Sequence, residues 1–451
     1  MTQLRYKCAL FSSARRYVCA FVRPVGFAAG RFFAAKKGHV FVFCHERVFP
    51  VNLKKQLSNV YLYTFFSTFT ITDAVWVALL AARGFTLAQI GLAEGIFHAV
   101  SLLCEVPSGM AADLLGRRRT LAAGGVLWTL SALLMAFAPG LMPVCAAMGL
   151  KALGYNMISG TQEALTYDSL KTAGRAGEYI KIDANVSVLQ KLSTALSALG
   201  SLLSRVLSYT GYYLADAAAA VLTVLAAARL TEPVVTAEQA ARGQHRLREL
   251  PARLRVHILD SLDCLRTSAA VRRLIAADAV ISLPSYLTAM LVQQRLTAQG
   301  WGMQWLFLPG LLAGAAGMAG AALGRRLHPH SLRGLYTACA LLCGVGALLA
   351  GAAPAWGCLA GPMLVQGTIA VWFLHSMQRL NDLISSDRRA TLISVDSMAY
   401  SLLMIPASPV LGWLGDVTGQ AGAGLCVLGG AVLLSGLAVA GKTRYNGGRA
   451  G

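Results

Sequence analysis

The sequence predicts an all-α membrane protein of twelve transmembrane helices in two six-helix halves. Three observations carry that prediction. Apolar residues make up 56% of the chain and charged residues 13%, about half the charge of a soluble domain. Apolar runs of about twenty residues, each long enough to cross ~30 Å of hydrocarbon, recur along the length. One long polar stretch, Thr231 to Arg273, follows the sixth run and separates six spans from six.

The first run, Leu57 to Ala81, holds Asp73 at membrane depth, and the second, Ile90 to Ala112, holds Glu94, His98 and Glu105. The third, Thr120 to Ala138, has no charge. Lys151 stands in the fourth, Leu141 to Ala164. Lys191 stands in the fifth, Ala184 to Ser204, and Asp216 near one end of the sixth, Tyr212 to Ala228. Asp278 and Pro284 mark the seventh, Leu274 to Leu291. The eighth, Trp301 to Leu323, begins with Pro309 near its head and continues as GLLAGAAGMAGAALG, a small-residue run that permits close helix contact. Leu332 to Ala353, Gly357 to Met377, Ala390 to Leu411 and Ala421 to Ala440 complete the set, with Pro406 and Pro409 in the eleventh. Prolines in these spans are expected to bend or break helices near a transport site.

The resulting domains are a first half over 52–229, a linker over 230–273, a second half over 274–441 and a tail over 442–451. Within the linker, Leu254, Ile258, Leu262 and Leu265 share one helical face with arginines elsewhere, the pattern of an amphipathic helix on a membrane surface. Residues 1–51 are a basic extension with no run long enough to span. A cleaved targeting segment, a basic surface arm and a mis-called start codon all fit it, and the last is preferred, because VNLKKQLSNVYLY reads as an ordinary lead-in to a first span.

Orientation follows from the arginine and lysine content of short loops. Arg117, Arg118 and Arg119, then Lys171, Arg175 and Lys181, the linker, Arg325, Arg326 and Arg333, Arg388 and Arg389, and the tail all fall on one side. Only Arg83, Arg205 and Arg295 fall on the other. The basic side is expected to be the cytoplasm, with both ends of the bundle there and the chain in the inner or plasma membrane. This asymmetry accounts for most of the +20 net charge without a nucleic-acid partner.

Ten cysteines with no C-x-x-C pair suggest neither a disulfide framework nor a zinc site. A literal P-loop string, GLAVAGKT from Gly436 to Thr443, lacks the preceding strand and following helix that would let backbone amides cradle phosphate. No H-E-x-x-H or G-x-S-x-G occurs. Neither catalysis nor a cofactor is expected.

Between the second and third spans runs GMAADLLGRRR: Gly109, Asp113, Gly116, Arg117, Arg118 and Arg119. It resembles the signature G-x-x-x-D-[RK]-x-G-[RK]-[RK] of the major facilitator superfamily of secondary transporters, with Leu114 where a basic residue is usual. Glu105-Val-Pro107-Ser-Gly109 is similar to a motif of that superfamily's drug-efflux branch, which includes macrolide-efflux-type proteins. So are the fourth-helix ending, with Gly160, Glu163, Tyr167 and Asp168, and the loop Asn381 to Thr391, with Arg388 and Arg389. The resemblance implies two rocking halves, a cytoplasmic gate at the signature loop, and a basic fourth-helix residue for which Lys151 is the candidate. Lys151-Ala-Leu-Gly154 departs from that pattern R-x-x-x-G by one residue in spacing and by lysine for arginine.

Physically, Glu94, His98, Glu105, Gly109 and Asp113 share an arc of about 100° on the second helix. Ionisable groups at membrane depth face a bundle interior or a water-filled path. Asp73, Glu94, His98, Lys151 and Asp278 are therefore the expected proton and substrate pathway; simple ion pairing of the acids with Lys151 or Lys191 is the competing reading. Gly109 is expected to permit close helix approach. Asp113 is expected to serve the gate, with Arg388, Arg389, Arg117 or Arg118 as partners. Apart from Asp278, Gln293 and Gln294, the second-half wall is expected to be apolar, which suits an amphipathic cargo. The predicted function is proton-coupled export of a small amphipathic compound by a monomer in the lipid bilayer. Uptake of a small polar metabolite and a non-transporting sensor or scaffold are the alternatives.

Overall fold

The computed structural model describes residues 33–36, 39–42, 52–233, 268–383 and 389–447, with backbone alone at 33–36, 39–42, 113–114, 389–392 and 442–447. The chain forms two units, Met1–Pro50 and Val51–Gly451. In the first, β1 (Phe33–Lys36) and β2 (His39–Val42) pair antiparallel, Phe33 opposite Val42.

The second unit is helical. Its first span consists of α1 (Leu53–Thr68) and α2 (Trp76–Ala82). The second and third are α3 (Leu87–Leu115) and α4 (Arg117–Phe137). The fourth is α5 (Leu141–Ile158) with α6 (Thr161–Thr172), the fifth is α7 (Tyr179–Ala198) running into a 3₁₀ segment Leu199–Arg205, and the sixth is α8 (Tyr209–Arg229). Beyond the linker lie α9 (Ala269–Ala298), α10 (Phe307–Gly324), α11 (Leu332–Ala352), α12 (Ala355–Asp382), α13 (Arg389–Thr418) and α14 (Ala423–Gly447). Among the described residues, eleven helical segments are long and apolar enough to cross a membrane. The first predicted span is missing from that set only because it is broken. The P-loop string lies inside α14, and the predicted amphipathic linker helix falls outside the described residues.

Helix starts follow local chemistry. Thr86 and Gln89 form a reciprocal capping box at the head of α3, and Ser208, Ser268 and Ser331 cap α8, α9 and α11 through their hydroxyls. Gly116 turns the chain from α3 into α4 at φ 93°, a conformation that glycine adopts without strain.

The prolines do not break helices as expected. Pro284, Pro406 and Pro409 lie within continuous α9 and α13, and Pro309 sits in the first turn of α10, where no helical hydrogen bond is lost. The interruptions fall in the first half, at 69–75, at Ser159 and Gly160, and in the 3₁₀ segment.

The halves meet most closely along α3 and α13, which run antiparallel. A Cβ on Gly91 would stand 2.2 Å from the Ser408 carbonyl oxygen, and one on Gly412 2.2 Å from that of Leu87. Gly109 does not repeat this: among the described residues nothing stands within 4 Å of its would-be Cβ. In α10, likewise, Gly320 touches the Gly367 backbone, whereas the space at Gly310 and Gly314 is open.

Arginines on the sparsely charged side of the bundle cap helix C-termini, where carbonyls lack intrahelical partners. Arg83 donates to the Ala138 carbonyl at 2.8 Å and stacks 4.3 Å from the Tyr209 ring centroid. Arg295 is buried and donates to the carbonyls of Ala350 and Ala353 at the end of α11.

Candidate functional site: a cavity and a buried acid cluster

The break in the first span builds one wall of the site. The run Thr70, Ile71, Thr72, Asp73 leaves the helix, and its freed backbone groups find partners from remote parts of the chain, as they must away from water. The Thr70 N–H donates to Ser197 at 3.0 Å and the Ile71 N–H to the Asp216 carboxylate at 2.8 Å; the Thr72 hydroxyl also donates to Asp216. From the other half, Gln293 accepts from the Val77 N–H at 3.1 Å and donates to the Asp73 carbonyl at 3.0 Å.

A cavity of about 90 Å³ opens beside this break. Phe66, Phe69, Trp76, Trp128, Met135 and Met148 make it largely apolar, and Lys151, Asp216, Tyr213 and Tyr286 supply its polar groups. Lys151 and Asp73 form an ion pair at 3.5 Å with side chains 40% and 55% exposed. Of the two, Lys151 lines the cavity.

Glu94 and His98 meet one turn apart on α3, with Nε2 and Oε1 3.3 Å apart, and both are buried. The second half completes their surroundings. Tyr286 on α9 donates to Glu94 at 3.0 Å, Ser401 on α13 lies 3.3 Å from His98 Nδ1, and the Tyr400 ring stands edge-on to the imidazole at 5.5 Å. Tyr286 also lines the cavity, so a buried acid and imidazole are coupled to that space through one phenol.

Asp278 stands apart from these groups. Its carboxylate accepts from the Trp372 indole at 2.5 Å and from Ser376, within the second half. The second-half wall is also less apolar than expected. Ser282, Ser285, Ile369, Asp396, Ser397 and Tyr400 line a second, open cavity there of about 260 Å³.

At the arginine-rich end the signature residues have local partners. Glu105 takes a hydrogen bond from Ser394 of α13. Arg117 pairs with Asp168 of α6 and donates to the Ala164 carbonyl. The backbone N–H groups of Arg117 and Arg118, at 3.0 and 2.8 Å, both donate to Glu232, a carboxylate at a helix N-terminus. The Arg118 side chain caps α8 at the Ala228 carbonyl. Arg117 and Arg118, two of the expected partners of Asp113, are thus engaged elsewhere.

The remaining motif residues also have local roles. Gly160 takes φ 72° where the fourth span breaks, Glu163 sits in the first turn of α6, and Tyr167 packs edge-on against Tyr179 at 5.3 Å. The side chains of Asp113, Arg388 and Arg389 lie outside the described residues.

Of the five pathway residues expected from sequence, the structure pairs Asp73 with Lys151 and Glu94 with His98 and sets Asp278 apart; what joins the pairs to the other half was missed. Tyr286 and Ser401 carried no signal beyond their position inside apolar runs, whereas Asp396, an acid within the predicted eleventh span, carried the same signal as Asp278 and was passed over. Asp216 was visible but stood near a predicted span end. Only the break in the first span makes it central.

A family model described as Major Facilitator Superfamily matches residues 57–405. The uncharacterized MFS-type transporter YdeG of Bacillus subtilis (strain 168) is 33% identical over 156 residues, which are 32% of this chain and 34% of that protein. The chain thus spans about a third of that curated relative's length. Among solved structures, the nucleoside transporter NupG superposes with TM-score 0.67 over 87% of this chain and 99% of that one, at 15% identity. A D-xylose-proton symporter does so with TM-score 0.64 over 87% and 97%, at 13% identity. At such identities the likeness is one of fold.

Proposed function

The chain belongs to the Major Facilitator Superfamily of transporters, and from that premise we propose that it exports a small amphipathic compound in exchange for protons by rocking two six-helix halves. The single observation carrying the proposal is the buried Glu94–His98 pair, contacted by hydroxyls of the opposite half and joined through Tyr286 to a largely apolar cavity. A carboxylate and an imidazole in contact can hold one proton between them, and their surroundings change when the halves move. Lys151, lining the cavity, is with its partner Asp73 the cargo's polar contact and the second proton-sensitive pair.

On this reading the arginine-rich end is cytoplasmic by the loop-charge rule, the protein is a monomer of the inner or plasma membrane, and the drug-efflux motifs point to export. Gate closure at that end falls to Asp113. Arg388 and Arg389, at the head of the eleventh predicted span, are the arginines the sequence offers it from the other half. With Arg117 and Arg118 engaged elsewhere, those two arginines are the proposed cross-half partners.

The test is flux of a panel of amphipathic compounds in inverted membrane vesicles, with and without an imposed pH gradient. At least one compound should accumulate only with the gradient. A panel transported equally well without it would overturn proton coupling, and accumulation from the opposite face alone would overturn export.

A further inference from the structure

We propose that the second cavity, between α9, α12 and α13, is a subsite for the protonated amine of the cargo, with Asp396 as its counter-charge. The inference rests on the transporter reading and names the chemical class of what is carried. Asp396 Oδ1 is buried and has no hydrogen-bond partner among the described residues. Asp278 is already bonded to Trp372 and Ser376 and leaves Asp396 as the acid facing this space. A carboxylate oxygen shut away from water without a donor is costly, and a ligand bringing N–H groups and a positive charge removes that cost.

The rest of the lining suits an ammonium group. Ser282, Ser285, Ser397 and Tyr400 present hydroxyl oxygens that can accept its hydrogen bonds. Ser285 already accepts from Gln366 at 2.8 Å, which fixes that hydroxyl. At about 260 Å³ the cavity is smaller than a site for a whole drug-sized ligand, of a size for the amine end of one, and far exceeds the close oxygen cage of a bare metal cation. Tyr400 also stands against His98, so an amine bound here would lie one ring away from the proton-holding pair.

Equilibrium binding to the full chain in lipid nanodiscs, without any gradient, tests this with 4-phenylbutylamine and its uncharged analogue 4-phenylbutan-1-ol. Both share an apolar body, and at pH 7 the amine is cationic. Wild type should bind the amine about tenfold more tightly than the alcohol. Asp396→Asn should abolish the preference while leaving alcohol binding unchanged, and Ser397→Ala, a milder change should the first variant fail to fold, should reduce it. Equal affinity of wild type for the two compounds, no amine binding, or full preference in both variants would overturn the subsite. Because no gradient is applied, none of these outcomes bears on proton coupling, and a failure of coupling in vesicles would leave the binding result intact.

Discussion

Asp73 and Asp216 are acids of the same cavity region with different work. Asp216 holds the Ile71 N–H and the Thr72 hydroxyl where the first span unwinds, so its removal leaves a buried donor without a partner. Asp73 faces Lys151 with both side chains substantially exposed, and such a pair contributes no more than about 1 kcal/mol to stability. Asp216→Ala should therefore cost about 2–4 kcal/mol, from the hydrogen bonds to a charged group that it removes, seen as a lower unfolding midpoint in detergent. Asp73→Asn should unfold near the wild-type temperature yet transport poorly. Equal midpoints for the two variants would mean that Asp216 does not brace the break. The sequence made Asp73 legible by its depth and left Asp216 undervalued, because its partners lie some 145 residues away along the chain.

At the scale of elements, apolar length made the spans legible and tertiary contacts decided where they break. Thr70, Ile71 and Thr72 leave the helix because Ser197, Asp216 and Gln293, from three other elements, satisfy the backbone there. No local pattern announces those partners. The prolines that did stand out are absorbed within α9 and α13.

The tight crossing of α3 and α13 is another tertiary decision, made by Gly91 and Gly412. A side chain at 412 would meet the Leu87 backbone, which cannot swing aside as a flexible side chain can. Gly412→Val should therefore pry open the arginine-poor end of the bundle. In a background with the native cysteines replaced, a cysteine substituted at Ser67, in the cavity, should react faster with a membrane-impermeant maleimide added on that side. Unchanged labelling would show that the crossing is not what closes that end.

Across the whole molecule, the arginine-poor end is tied between the halves at several levels. Asp416 of α13 accepts from the backbone N–H groups of Leu87 and Ala88 at 2.9 and 2.7 Å, at the head of α3, where a negative charge is favoured. Gln293 clasps the broken first span, and Ser201 donates to the Gln304 carbonyl at 3.3 Å. Hydrogen bonds thus hold the halves together at that end. Twelve spans and their grouping were legible from hydropathy and one long polar stretch. The cross-half ties were not, because each joins residues about a hundred or more apart in the chain by ordinary hydrogen bonds.

The central claim is that Glu94 couples proton movement to the rocking of the halves. Once a cargo is in hand, the most direct measurement compares wild type with Glu94→Gln in proteoliposomes, following uphill accumulation under a pH gradient and exchange of labelled for unlabelled cargo without one. The amide keeps the side chain's size and its hydrogen bond from Tyr286 but cannot release a proton. Exchange should persist near the wild-type rate while gradient-driven accumulation is lost. Accumulation that survives the substitution would contradict the assignment of Glu94 as the coupling group.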